Sequence, residues 1–448
     1  MNLQDKSMGM YTHLLRQKET VNKWMERYGV RFGIYKNGTF KEQIFPFDAI
    51  SRVITAKDWS YLERGLTQRV DALNAFLADI YSAKHIVHDG IVPEEFIYSS
   101  KGYLPQCEGI RPQLGVYSHI SGIDLVQATD GNWFVLEDNL RVPSGASYPL
   151  IARELTRKAS PETFADNDVV DNSNYPAMLR QMMDDVNTCG GLEVVLTPGR
   201  YNSAFFEHSF LAERAGVVLA FPDDLFVEDD KVYYRGLFSQ KQRVGVVYRR
   251  ISDEYMDPLA FEQTSLLGVP NIFQAYRAGN VAIVNAFGNG VADDKGIYYY
   301  VPKMVKYYLG EEPILHNAPT YLPMYDEDKK YVLENLSKLV IKDVAEAGGY
   351  GVMFGRDMSK ARLEEVSNMI KAEPRRWIAQ EVIDFIDLDI MEGEGTVKRK
   401  SDFRAFVVTG KQTKAWACGL TRFTRDPTSF VVNSSQGGGF KDTWVLSE

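Results

Sequence analysis

The sequence predicts an α+β protein with a parallel α/β unit inserted into it, and three observations carry that prediction. Short apolar runs alternate with helical periodicity between about residues 190 and 250, the pattern of strand–helix–strand units. Trp133–Leu136 is an apolar run of β-formers reached across the turn Asp130-Gly131-Asn132, a strong hairpin signal. Leu339–Lys342 is another apolar run that ends in a lysine, and Gly348, Gly349 and Gly351 follow before a new strand starts at Val352.

Taken in order, residues 1–30 read as a helical lead-in and 31–43 as a hairpin on Asn37-Gly38. Asp48–Ser82 is predicted to be helix-rich, because its apolar residues recur near i, i+3 and i+4. Residues 84–120 read as short strands and turns that lead into the Asp130-Gly131 hairpin. After the turn cluster Pro143-Ser144-Gly145, helices run from about Tyr148 to Asn187. Leu192–Leu196, Val217–Phe221 and Val244–Tyr248 are the buried strands of the inserted unit, and Phe226–Tyr234 carries a turn on Asp229-Asp230. Phe287–Gly296 leads to a Tyr-rich strand and Pro302-Lys303, and Val332–Leu339 is a helix candidate. Ala379–Phe385 and Asp402–Val408 read as strands, 391–400 as a charged turn and 431–440 as a glycine-rich loop. This organisation divides the chain into 1–188, 189–280 and 281–448, and its glycine concentration at 345–355 and 436–439 predicts two mobile flaps.

Composition narrows the function classes. At 448 residues, 45% hydrophobic and 25% charged, the chain has the make-up of a cored soluble protein. Its net charge of −9 argues against non-specific nucleic-acid binding, which needs a basic face. Cys107, Cys189 and Cys418 are far apart and form no C-x-x-C, so neither a zinc site nor a disulfide framework is expected, and a reducing, cytoplasmic setting fits. No secretory signal and no run of about 18 apolar residues is found, so no membrane association is expected.

Several residues carry recognisable chemistry. Glu137 and Asn139 are oxygen donors two apart on a strand and so share a face, from which they can hold a hard cation such as Mg²⁺. The hairpin brings Asp124 back beside Glu137. Lys342 before the glycine loop supplies a point charge, and glycine backbone N–H groups can approach phosphates. Arg200, Asn202 and Ser203 open a helix at a strand's carboxyl end, either as an anion site or as an ordinary capped helix start. Arg249, Arg250 and Asp253 follow the third strand of the unit, as a clamp for a substrate carboxylate or as a structural ion pair.

Together these pieces resemble the circularly permuted branch of the ATP-grasp enzymes, which includes eukaryotic-type glutathione synthetase and is related to glutathionylspermidine synthetase and to a bacterial group of predicted permuted ATP-grasp proteins. The E-x-N pair Glu137/Asn139 precedes the nucleotide lysine, and Lys342 is followed four residues later by Glu346 and then by glycines. The resemblance implies an ATP-grasp fold in permuted order, with 1–188 carrying the metal hairpin, 189–280 the substrate unit and 281–448 the nucleotide-binding part. It implies that Glu137, Asn139 and Glu346 hold Mg²⁺, with Asp124 as an additional acid, and that Lys342 and Lys295 contact ATP, Lys303 being the alternative to Lys295. Glycines Gly348, Gly349 and Gly351 would cradle phosphates, and the backbone over Gln380–Ile383, including Glu381, would meet adenine. Arg422 in CGLTRF would bind the carboxylate substrate, Arg404 or Arg422 would stabilise the transferring phosphoryl group, and Gly438 would lie in a flap over the site. The expected activity is ATP-dependent carboxylate–amine ligation of small-molecule or peptide substrates through an acyl phosphate, with a kinase-like phosphotransferase and a non-catalytic nucleotide-binding module as the alternatives. The oligomeric state is left open. The loop lacks an uninterrupted G-G-G-N-N run, and no glutathione-binding pattern is visible.

Overall fold

Alternating strands and amphipathic helices sort the chain into three sheets, a hairpin and the helices that cover them. The computed structural model describes residues 3–36, 39–164, 167–236, 240–345, 351–427, 432 and 438–448. The N-terminal part runs α1 (Leu3–Arg27), β1 (Arg31–Lys36), β2 (Thr39–Ile44), β3 (Phe47–Ile54), α2 (Ala56–Ile80), β4 (Ile120–Gln127), β5 (Trp133–Asn139), α3 (Ser147–Ala159) and α4 (Tyr175–Val186). The inserted unit comprises β6 (Leu192–Leu196), α5 (Phe205–Ala215), β7 (Val218–Ala220), β8 (Leu225–Glu228), β9 (Lys231–Arg235), β10 (Lys241–Arg249) and β11 (Ala282–Val284). The remainder comprises β12 (His316–Asn317), β13 (Thr320–Tyr321), α6 (Asp326–Asn335), β14 (Leu339–Asp343), β15 (Val352–Phe354), α7 (Lys360–Ala372), β16 (Trp377–Glu381), β17 (Asp387–Glu392), β18 (Gly395–Thr409), β19 (Thr413–Phe423) and β20 (Gly439–Val445).

The central sheet has the order β12-β5-β4-β18-β19-β20-β3, with β17 paired to β18. It draws strands from both ends of the chain, because β20 runs parallel to β3. Within the inserted unit β7, β6, β10 and β11 are parallel, as the alternating pattern predicts, and the unit reaches Val284 rather than stopping at 280. A small antiparallel sheet, β13-β16-β14-β15, carries Lys342. The helix α2 lies across the central sheet. The Thr55 hydroxyl caps it by accepting from Asp58 N, and Leu62, Leu66, Val70, Leu73 and Leu77 form its buried stripe. Each such side chain contributes ~1.5–3 kcal/mol by leaving water.

Several expected elements differ. Residues 47–54 form a strand, not the start of a helix, because they pair with β20 from the far end of the chain, a contact that local periodicity does not encode. Residues 84–120 hold short helices such as His85–His88 and Glu94–Tyr98 instead of short strands. The tyrosine-rich stretch after Gly296 is helical. Tyr300, Val301, Met304 and Val305 are buried at helical spacing in the core beside α2, so packing overrides their β-propensity. The helix expected from Val332 begins at Asp326 and ends at Asn335. The turn placed at 391–400 is confined to Gly393-Glu394, and β18 starts at Gly395.

Candidate active site

A cleft of about 430 Å³ lies where the central sheet, the small sheet and the start of α5 meet. Its lining includes Asp124, Glu137, Asn139, Lys342, Gln380, Glu381, Ile383, Asp402, Arg404 and Arg422. The hairpin behind it forms as predicted: Gly131 takes φ +90°, and Asp124 sits opposite Glu137. Register slips between the Asp124–Glu137 and Leu125–Val135 pairs, so Leu136 is an extra residue on β5. That bulge reverses the alternation. Val135 and Asp138 point to α2, where Arg69 Nε and Nη2 donate to Asp138 at 2.7 and 2.6 Å. Glu137 and Asn139 consequently turn together into the cleft.

Two guanidiniums and one amide meet on one carboxylate. Arg404 donates to Asp124 through Nε and Nη2 at 2.6 and 2.8 Å, Arg422 Nη2 donates at 3.0 Å, and Asn139 Nδ2 at 3.3 Å. Arg422 also donates to both oxygens of Asp402, at 2.9 and 2.5 Å. Burial pushes the Asp124 carboxyl up, but Arg404 and Arg422 outweigh it and hold it below the ordinary carboxylate range.

The lysines come from different elements. Lys295 opens a helical turn capped by Asp294, whose carboxylate accepts from Gly296 N at 2.8 Å, and Lys295 Nζ lies 2.9 Å from Glu137. Lys303 is exposed and sits over the Tyr299 and Tyr300 rings, away from the cleft, so Lys295 is the lysine the fold brings to Glu137. Lys342 on β14 faces the cleft. Burial, with Lys295 adding to it, lowers its ammonium to about 8 against the opposing pull of Glu137 and Asp124.

The remaining candidates divide. Gln380 is buried and donates to Thr320 Oγ1 at 3.0 Å, and Glu381 accepts from the Tyr321 and Tyr331 hydroxyls at 3.1 and 2.8 Å. Asn202 and Ser203 line the cleft, but Arg200 is exposed and is not part of the lining. Asn202 Oδ1 accepts from Ala204 N at 2.9 Å, a helix-start turn. Arg249 is no substrate clamp. It is fully buried, and its guanidinium donates to Asp253 at 3.1 and 3.0 Å and to the carbonyls of Asn285, Ile251 and Ala286. Its neighbour Arg250 faces the cleft instead, since adjacent residues leaving a strand point oppositely. Gly438 is buried just before β20 and Gly351 takes φ +75° just before β15, both outside the lining. Glu346, Gly348, Gly349 and Gly437 lie outside the described residues, as do 346–350 and 436–437 of the two proposed flaps. Sequence reasoning missed Phe32, Tyr148, Glu207, His208 and Asp402, which have no motif and reach the cleft only through tertiary packing.

The donor set bears on the metal. Among the described residues no group of three or more His, Cys, Asp or Glu could hold an ion. Mg²⁺ does not need one, because it uses one or two carboxylates and completes its shell with water and phosphate oxygens. Glu137 and Asn139, both on the cleft wall, fit that requirement. Asp124 does not: its oxygens accept four hydrogen bonds, so it acts as a brace for the arginines rather than as the additional metal acid.

Residues 51–424 match the family model for circularly permuted ATP-grasp type 2. The chain belongs to this family. An uncharacterised protein of Synechocystis sp. is 46% identical over 441 residues, covering 97% of this chain and 91% of that protein. One of Mycobacterium tuberculosis is 45% identical over 412 residues, covering 91% of this chain and 74% of the relative. A Frankia casuarinae protein provisionally named glutamate–cysteine ligase 2-2 is 41% identical over 413 residues, and the chain spans 48% of its length. A solved glutathione synthetase-like effector from Globodera pallida superposes with TM-score 0.61 at 12% identity, covering 96% of this chain and 97% of its own, and so shares the fold. Membership of an ATP-grasp family supports an ATP-dependent ligase in general terms. Among the described residues no helix is long and apolar enough to cross a membrane.

Proposed function

We propose that the protein is an ATP- and Mg²⁺-dependent carboxylate–amine ligase that works through an acyl phosphate and releases ADP and phosphate. The observation that supports this best is the convergence of Glu137, Asn139, Lys342, Arg404 and Arg422 on one cleft, with Lys295 paired to Glu137. The name of the Frankia relative supports carbon–nitrogen ligation as the reaction class. Three free cysteines fit a reducing, cytoplasmic setting.

In this reading Lys342 and Lys295 bind the phosphates of ATP, and the apolar wall of Val340, Val352, Phe354, Val382, Ile383 and Phe385 takes the adenine. Glu137 and Asn139 would hold Mg²⁺, with Glu346 the further ligand that the family resemblance implies, and the ion would supply neutralisation of the phosphate charge. Arg404 and Arg422, fixed by Asp124 and Asp402, orient the substrate carboxylate. A carboxylate oxygen attacks the γ-phosphorus as the bond to the β-phosphate oxygen breaks, and ADP leaves. The amine nitrogen then attacks the acyl carbon, phosphate departs and the amine proton passes to solvent. The guanidinium of Arg422 stabilises charge on the transferring group.

Lys342→Met is expected to weaken binding of a non-hydrolysable ATP analogue at least tenfold at pH 7, roughly the 1.4 kcal/mol of one phosphate contact. Because the lysine is charged only below about 8, wild-type affinity should fall as pH rises through that value, and binding at pH 8 should take up protons. Calorimetry in buffers of different ionisation enthalpy checks both points. Affinity flat from pH 7 to 9, or unchanged in the variant, removes Lys342 from the phosphate site.

A further inference from the structure

Beyond the phosphate and carboxylate groups the cleft continues toward α3 and α5, and its far end is built differently. Phe32, Val142, Tyr148, Ala204 and Leu420 line it, together with the uncharged polar residues Ser144, Asn202 and Ser203. The only two charged side chains at that end among the described lining residues are Glu207 and Arg250, and both are committed to the protein. Glu207 Oε1 and Oε2 accept from Gly145 N at 3.0 and 2.8 Å, and Oε2 also accepts from Ser147 N and Ser147 Oγ at 3.0 and 2.9 Å. Arg250 Nη1 donates to Pro143 O and the Tyr248 hydroxyl at 2.8 and 2.6 Å, and Nη2 donates to Ser144 Oγ and to Glu207 at 3.4 Å. A second substrate carboxylate would need the fork of Arg250, and a substrate ammonium would need the oxygens of Glu207. Neither is available.

Uncharged polar groups remain at this end, on Asn202, Ser203 and His208. The Thr197 hydroxyl accepts from Gly199 N at 3.2 Å and shares a 2.8 Å hydrogen bond with His208 Nδ1. Burial, reinforced by Arg250, keeps the imidazole neutral.

We infer that this far end receives an uncharged, apolar acyl body, so that the acid activated in the cleft is a monocarboxylate and not an amino acid or a dicarboxylate. The inference rests on the ligase reading for the meaning of "activated" but concerns binding alone. An uncharged, largely apolar body fits the five apolar residues, whereas a charged group would be buried without a counter-charge. At the near end Arg422 Nη1, which Asp124 and Asp402 do not engage, takes the single carboxylate with Arg404 beside it, and Asn202, Ser203 and His208 offer hydrogen bonds to a polar atom on the body.

The test is calorimetry on the full chain with Mg²⁺ and a non-hydrolysable ATP analogue bound, titrating 3-phenylpropionate, hexanoate, glutarate and L-glutamate. The two monocarboxylates are expected to bind roughly tenfold or more tighter than the dicarboxylate and the amino acid. Ala204 is the residue preceding the first turn of α5, where aspartate suits a helix start, so Ala204→Asp places a carboxylate at the apolar end without opposing the fold. It should weaken 3-phenylpropionate by about tenfold or more and leave the analogue's affinity unchanged. Glutarate or glutamate binding as tightly as the monocarboxylates, no binding of either monocarboxylate, or an indifferent Ala204→Asp overturns the inference; the wild-type comparison stands without the variant. Monocarboxylate binding with no turnover would keep this inference and remove the ligase reading. Turnover of glutamate in preference would do the reverse.

Discussion

Glu137→Gln is expected to lower kcat by roughly 10²-fold or more while leaving the unliganded protein nearly as stable as wild type. The substitution keeps the shape of the side chain and its ability to accept from Lys295, but removes the charge that the metal site needs. The Glu137 side chain is 25% exposed, so its pairing with Lys295 contributes no more than about 1 kcal/mol to folding. The effect should therefore divide cleanly. ADP release at saturating ATP collapses, the Mg²⁺ concentration needed for half activity rises, and the melting temperature without ligand barely moves. Wild-type Mg²⁺ dependence in the variant would take Glu137 out of the metal site.

Asp124→Asn should be the most destructive change in the cleft and should damage folding as well as activity. The carboxylate neutralises part of two guanidiniums that are nearly out of water, and its loss leaves both short of a counter-charge. Breaking a buried pair by removing one partner costs ~3–5 kcal/mol. Urea unfolding is the measurement, with Asp124→Asn/Arg404→Gln as the second variant. If the cost arises from uncompensated positive charge, the double variant should be more stable than the sum of the single changes. The Asp124 carboxyl is depressed in the folded state, so its stabilisation is full above about pH 4 and is lost as pH falls below that. A loss under about 1 kcal/mol would mean that the arginines find other partners.

How much of this was legible in the sequence depends on whether a residue's surroundings are local. The Asp130-Gly131 hairpin, the paired oxygens of Glu137 and Asn139, the strand before the glycine loop and the parallel unit were all readable, since turn chemistry and periodicity act over a few residues. The bulge at Leu136 was not, although it puts Glu137 on the opposite face from Val135. Strand 47–54 was hidden because its partner lies almost four hundred residues away. The choice between Arg249 and Arg250 turned on alternation in a strand whose end could not be fixed from composition. Asp124 showed itself as an acid near Glu137, but not as the brace for Arg404 and Arg422, which arrive from two C-terminal strands. At the far end of the cleft the sequence marked Asn202, Ser203 and Arg250, but the apolar lining had no motif, because it is assembled from β1, α3, the start of α5 and β19.

The chemical fate of the γ-phosphate separates an acyl-phosphate ligase most directly from a kinase or an adenylating enzyme. Hydroxylamine captures an acyl phosphate as a hydroxamate and needs no dedicated amine pocket. With ATP, Mg²⁺, hydroxylamine and the monocarboxylates above, the full chain should yield hydroxamate and ADP in equal amounts, and Glu137→Gln should yield neither. AMP and pyrophosphate in place of ADP, or a phosphate ester with no hydroxamate, would contradict a carboxylate–amine ligase working through an acyl phosphate.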